Sequence, residues 1–170
     1  MHNFYSLNPN HNQDINNSSS TILTINEHLD NPTFMKLFAD YYNDNTSENK
    51  QDALAAHLNE MEYLIAFFPN ELESSQSIPN NITIHTNDIL NLLISTTDNR
   101  EVYLPVFTDN ASLRKFTTDI VYTLRVPAKW LWEFVLSQKG FSGIVINPNT
   151  IGWDMSLEHI QSLLDDILLC

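Results

Sequence analysis

Residues 120–146 read IVYTLRVPAKWLWEFVLSQKGFSGIVI, and a change of hydrophobic period inside this stretch decides the fold class. Ile120, Tyr122, Leu124 and Val126 alternate along one face, the two-residue period of a strand. Pro127 suits a helix start, and Leu131, Phe134 and Val135 are spaced as the inward face of that helix. Gly140 is expected to stop the helix in a left-handed conformation. Phe141–Ile146 is then a short buried strand, and Asn147-Pro148-Asn149 is the turn after it. Strand, helix and strand in immediate succession predict a sheet with helices laid against it.

Working outward, Ser156 leads into the clearest helix of the chain. Leu157, Ile160, Leu163, Leu164, Ile167 and Leu168 share one stripe, and Glu158, Asp165 and Asp166 lie off it. Upstream, Val102–Thr108 reads as a strand joined to Ile89–Ser95 by a turn at Thr97-Asp98-Asn99-Arg100. Asp109 or Asn110 can cap a short helix through Phe116. Ile82–His85 is a further strand after the polar loop Asn70–Asn81. Tyr63–Phe68, stopped by Pro69, is too apolar for a surface helix and is read as a buried strand.

Two helices precede it. Asp30 or Asn31 is placed to cap the first, with Pro32 in its first turn and Phe34, Leu37, Phe38, Tyr41 and Tyr42 on one face. The second spans about Ser47 to Glu62 and carries Leu54, Leu58 and Met61. The expectation is an α/β (α+β) fold: one compact domain over residues 21–170, a mixed sheet of about five or six strands with helices packed against it. Residues 1–20, rich in asparagine and serine and without either period, are expected to be a mobile polar tail.

The chain has 170 residues, 42% of them hydrophobic, and a formal net charge of −13. That length supports a real core. The charge repels nucleic acid and anionic membranes, so neither is an expected partner. The longest apolar run, Tyr63–Pro69, has seven residues, far short of the roughly 18 to 20 that cross a bilayer. Residues 1–20 have no signal-peptide pattern, which makes the cytoplasm the expected compartment. With only Gly140, Gly143 and Gly152, neither a G-x-G-x-x-G cradle nor a P-loop can be written. His2, His11, His28, His57, His85 and His159 form no zinc-binding spacing, so no metal and no cofactor are expected. Cys170, the single cysteine, offers no internal disulfide and no positioned nucleophile.

Two groups of residues are candidates for function. Thr108, Asp109, Asn147, Asn149 and Asp154 fall where strands end and helices begin, the edge at which open α/β sheets bind ligands. Both aspartates would equally serve as helix caps, satisfying orphan N–H groups and favouring the macrodipole. The second group is a partner interface. Trp130 and Trp132 point about 200° apart on one helix, so one of them must lie at an edge or in solvent. Glu60, Glu62, Glu71 and Glu73 are candidates for the same interface. Residues 51–99 hold seven acids and no lysine or arginine, while residues 100–139 carry a net +2.

Tyr103-Leu104-Pro105-Val106-Phe107-Thr108-Asp109, then a short helix with Leu113 and Phe116, then Gly143-Ile144-Val145-Ile146-Asn147-Pro148 and a closing amphipathic helix, form a recognisable series. The chain resembles the SseB (enhanced serine sensitivity protein B) N-terminal domain family over about Thr33 to Leu169. The resemblance implies a compact α/β domain with no assigned reaction and no cofactor. Physically, Pro105 removes a ladder donor and points to an edge strand or a bulge. Asn147-Pro148 turns the chain after its strand.

The functional expectation is a non-enzymatic cytoplasmic interaction module, monomeric or weakly homodimeric, whose partner is a basic protein. An antitoxin-like role toward a cationic toxin is one version of it. The alternative is a small-ligand binder or hydrolase-type enzyme using Thr108, Asp109, Asn147 and Asp154.

Overall fold

The computed structural model describes residues 20–25, 27–68, 81–85 and 91–169. The expected tail, apart from Ser20, and nearly all of the Asn70–Asn81 loop lie outside the described residues. The elements in chain order are β1 (Ser20–Ile25), α1 (Pro32–Asn43), α2 (Glu48–Glu60), β2 (Glu62–Phe67), β3 (Asn81–His85), β4 (Ser95–Thr96) and β5 (Val102–Phe107). Then come α3 (Asn110–Phe116), β6 (Tyr122–Pro127), α4 (Ala128–Ser137), β7 (Gly143–Ile146), β8 (Trp153–Ser156) and α5 (Leu157–Leu169).

The strands form one sheet in the order β3-β1-β6-β2-β5-β7-β8, with β4 also paired to β5. The sheet is mixed, because β5 and β7 run parallel and the other neighbours antiparallel. This is the expected α+β architecture. It is widened by β1, which lies between β3 and β6, and by β8 at one edge, strands that the hydrophobic pattern did not announce. Ile89–Ser95 departs from expectation: residues 91–94 are irregular, and Leu92 forms only an isolated bridge to Phe67 before the two-residue β4.

Alternation along the strands builds a core on each face. Tyr63, Ile65, Leu104, Val106, Leu124, Val126, Ile144 and Ile146 meet Phe34 of α1, Leu54 and Leu58 of α2, Leu131 and Trp132 of α4, and Ile160 and Leu163 of α5. On the opposite face, Leu64, Ala66 and Phe107 meet Leu29, Leu93 and Leu113 of α3.

Several local expectations are corrected. Ile120 is 83% exposed, and the strand begins at Tyr122. Pro127 closes β6 and stands just before α4. The helix then ends at Ser137, and the only glycine with a positive φ is Gly152, so Gly140 is not its left-handed stop. The buried face of α4 is Ala128, Leu131, Trp132 and Val135, with Phe134 at its flank. Pro105 lies in an inner strand. It is accommodated because β2 pairs with β5 only at Val106 and Phe107, and β4 only at Val102 and Tyr103. The missing donor falls in the break between those two ladders.

Long-range polar contacts lock the helical layer. The Asn59 amide of α2 donates to Leu163 O of α5 at 2.9 Å, and its oxygen accepts the Trp132 indole N–H of α4 at 2.9 Å. Tyr63 is fully buried against Trp132, and its hydroxyl donates to Leu58 O at 3.0 Å. Burial pushes the Tyr63 phenol well above the usual tyrosine range. A raised folded-state pKa gives stability that is whole below the unfolded value, about 10, and is lost as pH rises toward the folded one. Thermal melts between about pH 8 and pH 11 should therefore show an alkaline loss of stability that is shallower in Tyr63→Phe. Equal slopes for the two proteins would refute the assignment.

Candidate functional site

The candidate ligand edge is built where β5 and β7 end side by side. Asp109 caps α3: its Oδ1 accepts Ser112 N–H at 2.7 Å, and its Oδ2 accepts the Ser112 and Thr108 hydroxyls, each at 3.0 Å. Asn147 bridges to the same unit. Its oxygen accepts Thr108 N–H at 3.0 Å, and its amide donates to Thr108 Oγ1 at 2.7 Å. The Asn147 backbone N–H extends the β7–β5 ladder to Val106 O at 2.9 Å.

Asn147 has φ +48°, a left-handed conformation that asparagine tolerates better than most side chains. That conformation turns its carbonyl to accept the N–H groups of Thr150, Ile151 and Gly152. Thr108 and Asn147 are 0% and 1% exposed. Four residues thus form one relay in which hydroxyl, amide and carboxylate satisfy one another.

The protein's own chain covers what remains of this edge. The Asn31 amide donates to Thr108 O at 2.9 Å and to Glu62 O at 3.2 Å. Leu29 N–H donates to Asn110 Oδ1 at 2.8 Å, and Asn110 N–H donates to Leu29 O at 3.3 Å. Asn31 precedes α1 as expected, but its side chain does not cap that helix. Asn149, on the exposed turn, ties Lys115 O of α3 at 3.0 Å. Asn31 and Asn110 were legible only as capping residues, because their partners lie 77 and 81 positions away.

Asp154 does not join this group. It lies exposed in β8 opposite Val145, and Ser156 rather than Asp154 meets the first turn of α5, through His159 N–H at 3.3 Å. Its electrostatic neighbour is Tyr103, whose hydroxyl is pushed above the usual range, first by desolvation and then by the Glu101 and Asp154 carboxylates.

The interface candidates also separate. Trp132 is fully buried with its indole N–H bonded to Asn59, which removes it as a surface anchor. Trp130 is half-buried and stacks on Phe134 with centroids 5.0 Å apart. Glu60 is exposed. Glu62 is engaged inside the chain by Arg125, whose Nε donates to it at 2.7 Å and whose Nη2 reaches the same oxygen. Arg125 also pairs with Glu27 at 3.0 Å. Glu71 and Glu73 lie outside the described residues, as does Cys170.

Among the described residues, no three His, Cys, Asp or Glu side chains gather as a metal site, and no helix is long and apolar enough to cross a membrane. The SseB protein N-terminal domain matches residues 36–161, most of the chain. The chain belongs to the SseB N-terminal domain family. No curated protein and no solved structure is a match for it. Within the SseB domain, the residues that carried the resemblance have structural work: Thr108 and Asp109 in one motif and Asn147 in the other form the relay that fastens β5 to β7. Gly143, which opens the second motif, lies where β8 approaches so closely that an added Cβ would come within 2.1 Å of Met155 O.

Proposed function

We propose that this SseB domain is a cytoplasmic binding module that engages a basic protein through the outer face of its helical layer. The observation that carries the reading is the charge on α2 and α5. Glu48, Asp52 and Glu60 on α2, with Glu158, Asp165 and Asp166 on α5, are all exposed. The two helices are neighbours, tied by Asn59 to Leu163 O. Their only lysine or arginine, Lys50, pairs with Asp44 at 3.1 Å. Such a field attracts a cationic surface and speeds its encounter. An antitoxin-like role toward a cationic toxin is one form of this function.

The reading rests on binding because the polar edge at Thr108, Asp109 and Asn147 spends its hydrogen bonds on the fold. The test is capture from host extract at about 50 mM and about 500 mM salt, with wild type and an Asp52→Lys, Asp165→Lys, Asp166→Lys variant. A basic protein retained by wild type only at low salt, and not by the variant, is expected. Failure to retain any salt-sensitive partner overturns the proposal.

A further inference from the structure

We propose that residues 27–31 are a strap seated, within the chain itself, on a docking surface for a partner protein's extended segment of the pattern acid-x-Leu-x-Asn. This goes beyond the binding-module reading and does not depend on the acidic helices. The five residues belong to no helix or strand, and they lie on the sheet as a bound peptide would. Glu27, Leu29 and Asn31 carry the contacts, every second residue, as in an extended chain that lays one side on a surface. His28 and Asp30 between them are exposed. Glu27 pairs with Arg125 of β6 at 3.0 Å. The Leu29 side chain is buried in the cluster of Leu64, Leu93, Phe107 and Leu113, on the sheet face opposite the helical layer of α1, α2, α4 and α5. Its backbone exchanges two hydrogen bonds with Asn110: Leu29 N–H donates to Asn110 Oδ1 at 2.8 Å, and Leu29 O accepts Asn110 N–H at 3.3 Å. The Asn31 amide then donates to the carbonyls of Thr108 and Glu62.

The occupant is read from the strap, since the strap fills the surface. Main-chain hydrogen bonds hold such a segment, while an apolar pocket and a charge partner select its side chains. The receiving residues and the strap also differ in origin. The SseB domain match covers residues 36–161, which includes Glu62, Thr108, Asn110, Leu113 and Arg125, whereas Asn31 and the rest of the strap precede it. The Glu27–Arg125 pair is partly exposed and holds weakly, so the strap depends on one buried side chain and a few hydrogen bonds. A segment held in that way opens without unfolding the sheet. While it is closed, a partner's affinity is reduced by the fraction of molecules that are open. A second copy of this chain is disfavoured as occupant by the net charge of −13 on each copy.

The experiment titrates the full-length chain into a labelled peptide, Glu27-His28-Leu29-Asp30-Asn31-Pro32, following anisotropy. Wild type, Leu29→Ala and Asn31→Ala proteins are compared, circular dichroism verifies that each is folded, and a peptide with alanine in place of leucine is the control. Loosening the strap frees the surface, so Leu29→Ala is expected to bind the peptide at least about tenfold more tightly than wild type, and the control peptide to bind neither. Asn31→Ala should fall between them. A folded Leu29→Ala protein that binds no more tightly than wild type overturns the proposal. If both variants are unfolded, the strap is part of the fold and not a displaceable occupant, which also overturns it. Hydrogen exchange on wild type gives a reading that needs no variant. The Leu29 and Asn110 amides should exchange together and at least about tenfold faster than the amides of β2, and equal rates would overturn the proposal. Sedimentation showing a wild-type dimer that Leu29→Ala dissociates assigns the surface to the strap of a second copy and overturns the partner reading.

Discussion

Gly143→Ala is expected to destabilise the domain by about 3 kcal/mol or more, because one methyl group must enter space held by backbone. The added Cβ would stand 2.1 Å from Met155 O and 3.1 Å from Met155 C. The Tyr103 ring, 3.2 Å away, can turn aside, but the carbonyl cannot. Four register pairs from Gly143↔Ser156 to Ile146↔Trp153 hold β8, and the Met155 side chain is buried in the helical-layer core. Alanine would also restrict the unfolded chain, a gain of about 0.4–1 kcal/mol that is too small to offset the overlap. Urea unfolding measures the loss. Hydrogen exchange should show β8 freed first, since it is the edge strand on that side of the sheet. A variant within about 0.5 kcal/mol of wild type would show that β8 does not approach this closely.

Asn147→Ala is expected to cost about 3 kcal/mol. The fully buried Thr108 N–H loses its acceptor, and Thr108 Oγ1 loses a donor, in a place that water does not reach. Alanine must also adopt φ near +48° without the local compensation asparagine has. Asn147→Gly separates the two effects, since glycine takes that conformation freely but leaves the same groups unpaired. It should recover about 1 kcal/mol relative to alanine in the same unfolding experiment. If alanine and glycine are equally stable, the left-handed backbone contributes nothing. If both match wild type, the relay is not what fastens β5 to β7.

These two positions also show what could be read locally. Gly143 and Asn147 stood out as motif residues, and Asn147 could be assigned to a turn. The approach of β8 to Gly143 depends on a strand whose sequence, Trp153-Asp154-Met155-Ser156, carries only two apolar residues. Asp109 was legible as a cap because its partners, Ser112 N–H and Oγ, lie three residues on. Asp154 was misplaced for the complementary reason. The clear periodicity of α5 marked a helix start nearby but did not distinguish the residue in the preceding strand from Ser156. For the tryptophan pair, spacing required that one of Trp130 and Trp132 be less buried. Which one depended on Asn59, on a different helix, accepting the indole hydrogen bond.

By itself, the sequence determined the class of element nearly everywhere that apolar residues repeat, the α+β class, the family and the sign of the molecular charge. These are consequences of period, local capping and composition, and each acts within a few residues or over the whole chain. Tertiary structure decided matters that hinge on partners distant in sequence. It turned the candidate ligand edge into an internally satisfied relay closed by Leu29–Asn31, and it engaged Glu62 with Arg125. It also brought the acids of α2 beside those of α5, although more than 90 residues separate the two helices in the chain. Hydrogen-bond satisfaction and charge proximity depend on distances in space, and those distances exist only once the sheet has brought separated segments together.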